Sequence, residues 1–131
     1  MVETKLPKYI LEKAIKSNNE FGWRENDVVE VINIAVENGL AILGGQVQFV
    51  FEDGTCELYW LNYNSNDKLN NENWSEYSRR TANECVQKLG KIASRNIESE
   101  AIEFFDFLKN KKNNGKEIYQ NMIFILYFAE K

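Results

Sequence analysis

Residues 46–61 read QVQFVFEDGTCELYWL, and this stretch decides the fold. Val47, Phe49 and Phe51 alternate with more polar residues, Asp53-Gly54 supplies a two-residue turn, and Cys56, Leu58 and Trp60 alternate after it. Period-two alternation on both sides of an Asp-Gly pair predicts a β-hairpin, with positive φ at both turn residues in a type I′ geometry. That turn sets Glu52 opposite Thr55 and pairs Phe51 with Cys56, Phe49 with Leu58 and Val47 with Trp60. The six apolar residues then share one buried face, while Gln46, Gln48, Val50, Glu57, Tyr59 and Leu61 share the other. Gly44-Gly45, just before the hairpin, is expected as a bend, a bulge or a close backbone contact. It is not a phosphate loop, because the P-loop lysine and the third glycine of a dinucleotide site are both missing.

Outward from the hairpin the pattern turns helical. On the N-terminal side, Pro7 to Lys16 predicts a first helix with Ile10, Leu11, Ala14 and Ile15 on one stripe, ended by Ser17-Asn18-Asn19. A second helix follows Asp27, whose spacing to Glu30 suits a capping box, and stops at Asn38-Gly39. On the C-terminal side, Asn62 to Asn73 is rich in Asn, Asp and Ser and reads as a loop. Asn73 with Glu76 caps a third helix whose inner stripe is Trp74, Tyr77, Thr81, Cys85, Leu89 and Ile92. A fourth is expected over Ile97 to Leu108, with Phe104 and Phe105 inward and Glu98, Glu100, Glu103 and Asp106 on a solvated face. The closing run MIFILYF is apolar on both alternating sets, which suits a central strand, although periodicity alone also admits a buried helix. The expected class is α+β, in the order α-α-β-β-α-α-β: one domain over residues 1–131, with helices packed on a small antiparallel sheet.

Composition narrows the chemistry. The chain of 131 residues carries 20 acidic and 16 basic side chains and no histidine. Without histidine, Ser-His and Cys-His nucleophile pairs and histidine-ligated zinc are excluded for the isolated chain. The acidic balance argues against a nucleic-acid partner, since phosphate binding needs clustered Lys and Arg and only Lys109, Lys111 and Lys112 form a short cluster. No apolar run approaches the ~20 residues of a membrane span, and the N-terminus shows no secretory pattern, so a cytoplasmic protein is expected. The carboxylates show no metal-binding spacing, and no cofactor is expected.

Binding residues are sought outside the expected core. Trp60 and Trp74 fall on inward faces, whereas Tyr59 and Tyr63 fall on the alternate strand face. With Asp67 and Glu72 from the long polar loop, these tyrosines are the candidate partner-binding residues.

The segments GLAILGGQVQFVFEDG, YWLNYN and ENWSEYSRRTANECVQKL, in that order, resemble a family of bacterial polymorphic-toxin immunity proteins, immunity protein 40. The diglycine after a helix-strand junction and the Trp-x-x-Tyr helix start carry most of the resemblance, which spans roughly residues 21 to 93. An acidic residue often follows the glycine pair in that family, and Gln46 stands there instead. The resemblance implies a non-enzymatic cytosolic α+β protein, encoded beside a toxin, that binds and neutralises the cognate toxin protein. Two other readings of a small acidic α+β chain are a homodimeric secretion chaperone, which oligomeric state would reveal, and a carboxylate-based hydrolase or transferase, which needs a deep cleft with converging carboxylates.

Cys56 and Cys85 are expected as buried free thiols. Reducing agent should therefore leave the thermal melting midpoint unchanged; a fall of several degrees would reveal a structural disulfide.

Overall fold

The hairpin forms, but its register differs from the expected one by two residues. The computed structural model, which describes residues 1–131, pairs strands β4 (Gln46–Phe51) and β5 (Gly54–Asn62) with Phe49 opposite Cys56, Val47 opposite Leu58 and Phe51 opposite Gly54. A two-residue displacement preserves the side-chain parity, so the inward face survives: Val47, Phe49, Cys56 and Leu58 are buried. The turn itself is Glu52-Asp53, and neither Asp53 nor Gly54 has positive φ, so the type I′ expectation is corrected. Packing across the turn decides this. A Cβ at Gly54 would lie 2.9 Å from the Phe107 ring, and Lys111 lies over Phe51 and Phe107 while pairing with Asp53 at 3.0 Å.

The far end of the hairpin contains a larger irregularity. Between Gln46 and Val47 the pairing jumps, so that Gln46 faces Asn62 while Val47 faces Leu58. The extra β5 residues invert the alternation. Tyr59 is exposed, Trp60 half-buried, Leu61 buried, Asn62 exposed and Tyr63 buried. Simple alternation put Tyr63 beside Tyr59 on an outward face; the bulge places it in the core instead.

The N-terminal expectation is also corrected. Helix α1 covers only Lys8–Lys13 behind Pro7, and β1 (Ile15–Ser17) and β2 (Glu20–Trp23) form a second hairpin around Asn18-Asn19. Asn18 takes φ 57°, a conformation that asparagine tolerates better than most residues. Helix α2 (Glu25–Glu37) begins before Asp27 without a side-chain cap, so the expected Asp27/Glu30 box does not form. Its end at Gly39, φ 80°, is as read. The capping box of Asn73 and Glu76 does open α3 (Trp74–Ala93), which runs past Gly90. The fourth helix is two, α4 (Ile97–Phe104) and α5 (Asp106–Asn113), because Phe105 adopts extended backbone between them. Phe104 is consequently exposed rather than inward.

The closing run is strand: β6 (Met122–Ile125) and β7 (Tyr127–Glu130). All four residues of β6 are buried, as its central place in the sheet order β1-β2-β6-β4-β5 requires. β7 pairs with β3 (Leu40–Gly44), a strand the alternation did not reveal, in a separate two-stranded sheet. The class is α+β; strands β1, β2 and β3 are added to the expected elements, and the closing strand and the fourth helix are each divided in two. Helices α1 and α2 pack on the sheet face bearing Trp23 and Phe124, where one cluster of buried side chains draws residues from Leu6 to Phe128. On the other face Gln48 is fully buried, accepting from Ser17 Oγ at 2.9 Å and donating to Glu20, which also accepts from Tyr127. This polar chain links both sheets and leaves no buried polar side-chain atom unsatisfied.

The two sheets are one interrupted ribbon. Gly44 faces Tyr127 and, three residues on, Val47 faces Phe124, so the antiparallel register continues through the break. At the break, a Cβ on Gly45 would overlap the Ile125 carbonyl oxygen and press the Tyr63 ring at 2.7 Å. Gly44 has φ 136°, and a Cβ there would lie 2.5 Å from the Asn64 Cα. The diglycine is thus the close backbone contact that the sequence suggested.

Gly45→Ala should destabilise the fold by about 3 kcal/mol or more, because the clash is with backbone that cannot swing aside. Gly54→Ala, which meets only a ring, should cost about 1 kcal/mol or less. Denaturant midpoints of the two variants give the ranking, and equal midpoints would refute it.

Candidate functional site

The polar loop from Tyr63 to Asn73 is held by side chains of α3, with Arg80 at their centre. Arg80 donates through Nε to Glu72 Oε2 at 2.6 Å, through Nη2 to the Asp67 carbonyl at 2.9 Å and through Nη1 to Glu84 at 2.9 Å. Glu72 also accepts from the Leu69 amide at 2.8 Å, and Lys88 holds the Asn64 carbonyl. A guanidinium suits this task because its planar fork reaches several acceptors at once. The Arg80 hydrogen bonds hold the Glu72 carboxyl down at about 2, and burial of Glu84 is outweighed by its bonds to the Asn66 amide and Arg80, so it too is lowered.

The same helix closes the outer edge of β3. Trp74 Nε1 donates to the Gly39 carbonyl at 2.8 Å, Ser78 Oγ to the Leu40 carbonyl at 2.5 Å, and Thr81 Oγ1 accepts from the Ile42 amide at 3.0 Å. Spacings of four and three residues put these polar groups on one helix face. Ser65, from the loop, adds a bond to the Ile42 carbonyl at 2.6 Å. An edge covered in this way is closed to other strands.

The four candidate binding residues therefore separate. Tyr63 is fully buried, and its single hydroxyl proton goes to the Ile125 carbonyl at 2.5 Å, with the Gln46 carbonyl 3.1 Å away. Burial pushes its phenol well above the usual range. Glu72 is committed to Arg80 and the loop backbone. Asp67 is exposed, and its carboxylate forms no ion pair. Tyr59 is 62% exposed at the sheet edge formed by β5.

Around Tyr59 lies an aromatic surface that helical phase concealed. Tyr59 meets the edges of Trp60, centroids 5.4 Å apart, and Phe104, 6.1 Å apart. Phe104, itself 55% exposed, lies 4.7 Å from Trp60 and 4.8 Å from Phe105. Trp60 Nε1 donates to Glu100 Oε1 at 3.2 Å, and Arg95 pairs with the same carboxylate at 2.5 Å. Trp60, Glu100, Glu103 and Phe104 line a shallow cleft of about 270 Å³. Large aromatic side chains are costly to leave in water, and contiguous exposed rings of this kind are enriched where proteins meet. The break at Phe105 turns Phe104 outward, and no sequence periodicity announces that break. Buried Cys56 and Cys85 are unreactive thiols, the latter pushed up to about 12 by burial.

Comparison with protein families places the chain among immunity proteins: a family model described as Immunity protein 40 matches residues 11–106. The chain belongs to the Immunity protein 40 family. The match runs from α1 to the first residue of α5 and so includes Tyr59, the Arg80-tied loop and Phe104. Neither the curated proteins nor the solved structures give a match. No helix is long and apolar enough to cross a membrane.

The Glu72–Arg80–Glu84 cluster has a pH signature. Glu72 ionises in the folded chain at about 2, below its ordinary value of 4.5, so its contribution is complete above the ordinary value and is lost as pH falls towards the folded one. Glu72→Gln should lower the melting midpoint at neutral pH, and the gap from the parent should narrow between about pH 5 and about pH 2. A gap independent of pH would show that the carboxylate's charge does not hold the loop.

Proposed function

We propose that this protein neutralises a toxin by binding it stoichiometrically, without catalysis, through the surface centred on Tyr59 and Phe104. Family membership supports the role, and the observation that carries the location is the pair of exposed aromatic rings at an otherwise well-packed sheet edge. Asp67, exposed on the ordered loop, remains a second candidate contact, whereas Tyr63 and Glu72 act structurally: Tyr63 anchors the strand end that presents Tyr59, and Glu72 fixes the loop. The partner is the toxin domain encoded beside this gene, met in the cytoplasm of the producing cell. Nucleic acid and membrane are not partners in this reading, in keeping with a net charge of -4.

Tyr59→Ala and Phe104→Ala should each fold normally, since the side chains are more than half exposed. Each should weaken toxin binding by about 1–3 kcal/mol, the range of truncated interface anchors. Calorimetry with the adjacent toxin domain, alongside survival of cells expressing it, measures both effects. Parental binding and protection by both variants would move the interface elsewhere. A parent that neither binds nor protects would end the immunity reading.

A further inference from the structure

We infer that the cleft between Trp60 and α4 receives an arginine side chain of the toxin. The inference rests on the toxin-binding reading for its partner and on the cleft itself for its chemistry. Two walls are aromatic, Trp60 and Phe104, and two are carboxylates, Glu100 and Glu103. Glu100 is already engaged by Arg95 and by the Trp60 indole N–H. Glu103, three residues further along α4 and exposed, forms no ion pair, so it is the uncompensated charge of the cleft.

The wall chemistry discriminates between occupants. An apolar side chain would cover the rings but strip water from Glu103 without replacing its hydrogen bonds, which is unfavourable. An anionic side chain would meet a carboxylate with no free cation beside it, because Arg95 is bound to Glu100. A guanidinium satisfies both kinds of wall, since its plane lies on an aromatic face while its N–H groups donate to the carboxylate. The shallowness of the cleft fits a side chain carried on another protein surface. Small ligands are held in deeper, more enclosing sites. Tyr59 and Phe104, exposed beside it, would be covered by the surrounding partner surface and would keep water from the ion pair.

Two experiments decide this. The parent is titrated with N-acetyl-arginine methylamide and with its neutral citrulline analogue while the Trp60 indole N–H resonance is followed by NMR. Only the arginine compound should shift it saturably, and Glu103→Gln should weaken that response. In parallel, affinity for the adjacent toxin domain is measured with Glu103→Lys, an exposed substitution whose folding is checked by its melting midpoint. Binding should weaken about ten-fold or more and lose part of its salt sensitivity. Equal shifts from both amides overturn the inference. So does undiminished toxin binding by Glu103→Lys, which would leave toxin binding itself intact at another place. If the parent binds no toxin, that reading fails separately and the amide titration still decides the chemistry of the cleft. A parent that sediments as a dimer and becomes monomeric on Phe104→Ala would assign the cleft to a second copy and overturn the arginine assignment.

Discussion

The backbone of Gly45 lies against the carbonyl of Ile125, and the remaining architecture is arranged around that approach. At this point β3 passes into β4 and β6 into β7, so two paired strands leave one sheet and enter the other side by side. The two sheets part there, and the buried Tyr63 hydroxyl holds the junction by donating to the Ile125 carbonyl at 2.5 Å. Tyr63 reaches it because the β5 bulge turns the end of that strand inward. One steric requirement, no Cβ at residue 45, and one hydrogen bond thereby fix the ribbon, the bulge and the start of the polar loop.

From that junction the loop follows the outer edge of β3, and α3 completes the cover. The polar residues Trp74, Ser78 and Thr81 are used for pairing with strand backbone, while Cys85, Leu89 and Ile92 on the same helix enter the core. The division explains a long amphipathic helix whose first turns are polar on their inner side. Arg80, one face round, ties the loop down through carbonyls and carboxylates. A loop rich in Asn and Asp thus behaves as part of the scaffold. Several of its backbone polar groups are bonded internally, while most of its side chains, Asp67 and Leu69 among them, are exposed.

Local signals were legible where local forces decide. The Asn73/Glu76 box, the glycine stop at Gly39 and the inward face of the hairpin follow from short-range geometry and appear as read. The closing run required its place in the sheet to choose strand over helix, and burial on both faces made that choice. What the sequence concealed depends on contacts distant in the chain. The hairpin turn yields to Phe107 and Lys111 from α5, more than fifty residues on. Tyr63 is inverted by a bulge that strict alternation cannot contain. Helix α1 stops early because Ile15 to Ser17 find strand partners in Phe21 and its neighbours. At the candidate site Tyr59, Asp67 and Glu103 were readable as exposed; Phe104 needed the break at Phe105.

Acidic residues sort into two populations, and the distinction bears on binding. Glu72, Glu84, Glu98 and Glu100 each have a cationic partner and serve packing or loop geometry. Glu57, Asp67 and Glu103 are exposed without one. Overall charge therefore reports little about where a basic partner would sit, since paired carboxylates have little field left to offer. The informative feature is an unpaired carboxylate next to rings that are also uncovered. Glu103 beside Phe104 meets that description, and Glu57, two residues before Tyr59 on the same strand, lies on the same side of the sheet edge. Each group would gain from burial only if the partner supplied both an apolar surface and a positive charge, which is a stricter demand than either feature makes alone. A surface that sets an unpaired carboxylate beside exposed rings thus discriminates by two features at once.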